Sequence, residues 1–341
     1  MTIQVPTVLP TLLNDGLSES AWSLDEPVGE FEPAFGYGPG QVVRYETARW
    51  RCRLRFDSLS QAERHQLARF LAMCGRHRSF WMFDPSHNLR GGFPSSELIV
   101  PGATWTGGHT VTTDSDGIRG TRSASSSYVA SPALTVVANA TYAWRALLEI
   151  SACTASPSFT PYGASTASGT NYGTGSASST GGRFALKCSP TGTTLHVNVQ
   201  SGSWTAEANW GTLPFMVIRR PSVVRAFMVD GGGGSQTQTG TGLYVKGLAT
   251  SANGQLQNGD MVEVVSGTTS QRLRVVEDVN GDGSGKGWMK FEPMLRKAVS
   301  DGDLVIPYRP WVRLRMTTAP ELLTRPGWYG NCEIEAVETF A

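Results

Sequence analysis

Arg49-Trp50-Arg51-Cys52-Arg53-Leu54-Arg55-Phe56 decides the fold class of this chain. Arginine alternates with apolar residues without a break, which is the period of two that a strand imposes. Trp50, Cys52, Leu54 and Phe56 fall on one face and call for burial. Arg49, Arg51, Arg53 and Arg55 fall on the other. Just downstream the period changes. Ser60 and Glu63 have the spacing of a capping box, in which each side chain takes an orphan N–H at a helix start. Leu67, Phe70, Leu71 and Cys74 then recur at helical spacing as one apolar stripe, and Gly75 suits the residue past a helix end. Phe80-Trp81-Met82-Phe83 reads as a buried strand halted by Asp84-Pro85. Strand, amphipathic helix and strand together predict a helix packed on a sheet.

The surroundings favour strands as well. Gly is abundant at 39 of 341 residues and charged residues make up only 17%, a balance that suits short strands and turns rather than a helical bundle. The first 40 or so residues are turn-rich, with Asp15-Gly16 and Gly36-Tyr37-Gly38-Pro39-Gly40, and read as an extended arm with strand pieces. From about 95 to 211 the chain is poor in charge and rich in Gly, Ser, Thr and Ala. Apolar runs at 98–100, 134–137, 142–150, 184–186 and 195–199 alternate with turn clusters such as Asp114-Ser115-Asp116-Gly117, as in a sandwich or jelly roll. The low-complexity stretch 163–179 reads as a long exposed loop. Gly231-Gly232-Gly233-Gly234-Ser235 reads as a linker or wide turn. Beyond it, 244–248, 261–265, 271–276 and 288–293 predict the strands of a small barrel. Two alternating strands follow, Trp311-Val312-Arg313-Leu314-Arg315-Met316 and Cys332-Glu333-Ile334-Glu335-Ala336.

The fold expected is mainly β: a β-sandwich hub with one short helix, an inserted jelly-roll-like β-sandwich and a small OB-like β-barrel. The hub covers 1–94 and is completed by 306–341, the insert covers 95–225 and the barrel 236–305.

Net charge is +1, too balanced to require a nucleic-acid partner, and no apolar run reaches the ~20 residues of a membrane span. Met1-Thr2-Ile3-Gln4-Val5-Pro6 lacks a basic and an apolar region, so a secretory signal is not expected. Five cysteines without a C-x-x-C pair point to buried thiols rather than zinc, with a Cys153–Cys188 bridge left open.

No catalytic constellation emerges. Asp278-Val279-Asn280-Gly281-Asp282-Gly283 fits the first half of a calcium loop, but the twelfth position, where a bidentate Glu closes the site, is Met289. The overlapping glycines lack phosphate-loop spacing. His65, His77, His87, His109 and His196 are not spaced for a metal pair. Asp114, Asp116, Glu149 and Glu207 are carboxylates without an evident pairing. We therefore expect no enzyme, no cofactor and no metal.

Two contact sets remain. Four arginines on one strand face repel unless paired, and Glu333 and Glu335 alternate in the matching way. Arg49, Arg51, Arg53, Arg55, Glu333 and Glu335 are thus candidates for a cross-strand or subunit-interface ladder. Exposed aromatic rings stack on sugars, and Tyr162, Tyr172, Trp204 and Trp210 are the candidate glycan contacts, whereas Tyr142 and Trp144 read as core.

The order just described, from Arg49 to Phe83, resembles the opening of tail-tip proteins of long-tailed bacteriophages, of the distal tail or minor tail type. Gly259-Asp260, Arg272 to Val276, Asp278 to Gly283 and Phe291-Glu292-Pro293-Met294-Leu295-Arg296 are similar to the small barrel of many such proteins. The two stretches cover roughly half the chain. The resemblance implies a ring, usually hexameric, that connects the tail tube to the distal tip or baseplate. It implies as partners further copies of the chain, the tail tube protein, and tail hub and tape-measure proteins. It places the chain in the virion, after assembly in the host cytoplasm, and supplies no catalytic residue. The insert lies outside the resemblance. By its own pattern it looks like a carbohydrate-binding-type sandwich, which either binds a host surface glycan or braces the tip.

Overall fold

The computed structural model describes residues 7–8, 17–25, 28–31, 41–44, 48–74, 78–83, 105–107, 110–114, 117–121, 128–150, 159–175, 182–201, 216–232, 238–250, 253–318, 322–323 and 330–339. The chain is mainly β, with one helix among the described residues.

The opening stretch is a strand, Arg49–Leu59, in a seven-stranded sheet. It lies between Leu17–Asp25 on one side and Gly330–Glu338 on the other. The sheet continues through Trp311–Met316 and Ser79–Phe83 to Thr7–Val8, so strands from the two ends of the described chain interleave. Trp50, Cys52, Leu54 and Phe56 are at most 1% exposed, while Arg51, Arg53 and Arg55 face solvent. The helix Gln61–Cys74 covers the buried face with Leu67, Phe70 and Cys74. The Phe70 ring meets Phe80 edge-on at 5.2 Å. The capping box is formed: the Ser60 N–H donates to Glu63 Oε2 at 2.6 Å, and the Glu63 N–H donates to Ser60 Oγ at 3.4 Å. Each large apolar side chain buried here is worth about 1.5–3 kcal/mol, so this one strand supplies much of the sheet's core.

The insert is a sandwich of a six-stranded and a five-stranded sheet. An interior strand of the five-stranded sheet, Tyr142–Ile150, is buried along almost its whole length. Tyr142, Trp144, Ala146, Leu148 and Ile150 enter the core between the sheets. Ala143, on the other parity, joins Val224, Ala226, Val265, Leu304, Ile306 and Tyr308 in a second cluster shared with the barrel. A strand covered on both faces needs apolar residues at both parities.

The barrel has six strands and closes on itself, in the order Phe227–Val229, Gln238–Lys246, Lys286–Val299, Thr269–Val275, Met261–Ser266 and Leu304–Ile306. Its first strand precedes the glycine run at 231–234, so that run lies between two strands of one barrel rather than between units.

One expectation needs correction. The stretch from 163 is not a loop throughout: Phe159–Ala164 and Gly173–Thr174 pair as an antiparallel hairpin. The turn is closed by the Ser165 N–H donating to Asn171 Oδ1 at 3.0 Å and the Gly169 N–H donating to the Thr166 carbonyl at 3.1 Å. Low complexity concealed it, because Asn, Ser and Thr build turns through side-chain bonds to nearby backbone.

Candidate functional site

The arginine face is a ladder within one chain. Antiparallel register sets Arg53 opposite Glu335 and Arg55 opposite Glu333. The ion pair forms on the diagonal, with Arg53 Nε and Nη2 donating to Glu333 at 2.6 and 2.9 Å. That bidentate contact holds the Glu333 carboxyl below its ordinary range and raises Arg53. Arg51 pairs with Asp25 at 3.0 Å and Arg55 with Asp57 at 3.1 Å. Arg49 is half-buried at the start of the strand, in register with Asp25.

The aromatic candidates divide. Trp204 and Trp210 lie outside the described residues. Tyr172 is partly buried against the sandwich core. Tyr162 stands on the outer face of the six-stranded sheet, and register gathers a polar surface around it. Tyr162 pairs with Asn198, and Thr160 with Gln200, which itself pairs with Tyr128. The turn after Tyr162 folds back over this face: Asn198 Nδ2 donates to the Gly169 carbonyl and Gln200 Nε2 to the Ser168 carbonyl, both at 3.0 Å. Asn198 is fully buried there, and its Oδ1 has no hydrogen-bond partner among the described residues. Tyr128, Thr160, Tyr162 and Gln200 stay partly exposed at the rim. Such a face offers rings and amides, groups suited to a neutral hydroxylated ligand. The polar alternation His196-Val197-Asn198-Val199-Gln200 was the available signal for Asn198 and Gln200.

Other expected features have ordinary uses. Asp278 accepts from the Asn258 N–H and Asn280 from the Gly254 N–H, both at 2.9 Å. Asp282 accepts from the N–H of Lys286 and of Ser284, and these bonds with the Ser284 hydroxyl hold its carboxyl below the usual range. Met289 is fully buried in the barrel core. Glu149 is bonded by Arg219. His65 is exposed on the helix, and His196 Nδ1 lies 3.1 Å from the Ser131 carbonyl. His77, His87, His109, Asp116, Glu207 and Cys153 lie outside the described residues, as do the side chain of Asp114 and the strand expected at 98–100. Cys188 is a free thiol pushed up to about 12 by burial.

Two buried charge clusters, which the sequence did not reveal, join the units. In the first, Glu263 of the barrel receives Arg183 and Arg145 of the sandwich, the latter at 3.0 Å. The Trp311 N–H of the seven-stranded sheet donates to the same carboxylate at 3.0 Å. Arg145 also donates to the Tyr308 carbonyl at 2.8 Å, and Arg183 lies 4.8 Å from the Trp81 ring. Burial works against the Arg183 charge and Glu263 works for it. In the second, Arg272 of the barrel sits 3.7 Å from the Trp22 ring and 5.3 Å from Trp50, whose indole N–H donates to the Arg272 carbonyl at 2.8 Å.

Glu338 borders this second cluster, 2% exposed, with Arg296 at 3.7 Å and the Trp50 N–H at 3.3 Å. Burial pushes its carboxyl up to about 7, against the pull of Arg296 and the N–H groups of Trp50 and Arg272. A folded-state value above the unfolded one means that the folded chain holds the proton more tightly. Its contribution to stability is therefore fully present below the unfolded value of 4.5 and is lost as pH rises to about 7. The loss is expected to be about 3 kcal/mol. Thermal melts from pH 4.5 to 8 should show Glu338→Gln lacking this decline. Parallel curves for the two proteins would contradict the assignment.

No family model matches this chain, and no curated protein matches it. Among solved structures, it is similar to the N-terminal CBM22-1-CBM22-2 tandem domain from Paenibacillus barcinonensis Xyn10C. The identity is 12%, over 74% of this chain and 100% of that one, with a TM-score of 0.23. That likeness is too low to bear on function. What the fold itself defines is a mainly β, multi-unit chain whose units are joined through buried charge.

Proposed function

We propose that this chain is a structural, non-catalytic component of the tail tip of a long-tailed bacteriophage, a subunit of a ring between the tail tube and the distal tip. The observation that carries the reading is the way the sheet and the barrel are joined. A sheet interleaved from both ends of the described chain bears the helix of the resembling Arg49–Phe83 run and is joined to a closed barrel through buried charge. A ring subunit passes load to its neighbours and needs units that do not shear. Each cluster opposes sliding, because displacing one partner leaves the other ion buried and uncompensated. Negative-stain images of the full-length protein at high concentration should show rings with a central hole. A stable monomer under those conditions would sink the proposal.

A second reading is favoured by the face around Tyr162. The sandwich would bind a host surface glycan there through Tyr162, Tyr128 and Gln200. Binding of the full-length protein on a glycan array should be lost with Tyr162→Ala, and a blank array speaks against it for the sugars displayed.

A further inference from the structure

We infer that the outer wall of the barrel is a platform for a pyranose ring of a neutral glycan chain, built on Trp288 and Tyr244 and separate from the sandwich face. A strand wall that faces water is ordinarily polar on its outer side. Here Tyr244 is 52% and Trp288 44% exposed, two of the five exposed large apolar side chains among the described residues. Tyr244 and Trp288 are direct cross-strand partners, and their rings meet at 4.7 Å and 63°.

The neighbouring glycine explains how the indole is held. Gly242 lies two residues before Tyr244, on the same outward face of its strand. A Cβ at Gly242 would come within 2.3 Å of Trp288 Cζ2, so the ring lies against bare backbone. One indole face is seated before any ligand arrives, and a preorganised side chain loses little entropy on binding.

Charge and size select the occupant. The ions flanking the pair are already matched: Lys286 with Asp230 at 2.9 Å, Lys290 with Glu277 at 2.7 Å, and Lys246 with Asp301. A charged ligand would have to break these pairs, whereas sugar hydroxyls can bond to them as they stand. The two rings expose roughly 100 Å² each, about 200 Å² together. A stable protein interface needs about 800 Å² per partner. A flat ligand with an apolar C–H face and a hydroxylated rim fits that area, and a pyranose has this form.

Saturation-transfer NMR on the full-length protein, with cellobiose and maltose as probes and glucuronate as the charged control, tests the platform. At least one neutral disaccharide should receive saturation on its ring C–H protons, and glucuronate should receive none. Trp288→Ala and Tyr244→Ala should each abolish the signal, Trp288→Phe should keep part of it, and Tyr162→Ala should leave it unchanged. Gly242→Val, which unseats the indole without removing either ring, should also weaken it. Transfer to neither disaccharide, or transfer that survives Trp288→Ala, overturns the proposal. So does a signal lost with Tyr162→Ala instead, which would assign the sugar to the sandwich. Self-association abolished by Trp288→Ala, with no sugar signal, would make this wall a contact between copies and equally overturn it.

Discussion

Glu263→Ala is expected to lower the unfolding free energy by about 3–5 kcal/mol, the range for removing one member of a buried ion pair. The carboxylate is fully buried, and the Arg145 and Arg183 side chains that meet it are 1% and 3% exposed. Without it, two guanidiniums stay out of water beside the Trp311 N–H, which also loses its acceptor. The upper end of that range is expected, because three units share the carboxylate: Arg145 and Arg183 come from the sandwich, Glu263 from the barrel and Trp311 from the seven-stranded sheet. Urea denaturation followed by near-ultraviolet circular dichroism reads the stability. Limited proteolysis reads whether the sandwich separates. A loss under about 1 kcal/mol with unchanged proteolysis would mean that the cluster does not join the units.

The second large effect is at Trp50. Its side chain is 1% exposed at the seam between sheet and barrel, and truncation to alanine is expected to cost about 3–5 kcal/mol. Trp50→Phe separates the contributions. It keeps much of the buried ring but leaves the Arg272 carbonyl without the indole donor at 2.8 Å, an expected loss of about 1–3 kcal/mol. Both variants should loosen the barrel from the sheet, which proteolysis between the two would report. Equal losses for the two variants would assign the whole effect to the hydrogen bond, and an undiminished Trp50→Phe would assign it to packing.

Legibility followed the range of the physics. The strand at 49–56, the capping box at Ser60 and Glu63, and the apolar stripe of the helix were readable because each is decided within a few residues. Met289 was readable as a failure of the calcium pattern for the same reason, and its burial in the barrel shows what the position does instead. The Tyr142–Ile150 run carried a signal that alternation alone underuses: apolar residues at both parities mark a strand covered on both sides. Around Tyr162, the rings were visible in the sequence. The amides beside them were not singled out, because cross-strand register assembles that face.

The residues that join the units were hidden. Arg145, Arg183, Arg272 and Glu263 look like surface charges in a sequence, since charged side chains are seldom fully buried. Arg145 and Glu263 are 118 positions apart, and Trp50 and Arg272 are 222 apart. The sequence by itself determined that Arg49 to Phe56 is a strand with an apolar face, because period two leaves no other way to bury Trp50, Cys52, Leu54 and Phe56 together. Which strands flank it, and which charges could leave water, only the tertiary structure decided. A buried ion is tolerable only where a distant segment brings its partner.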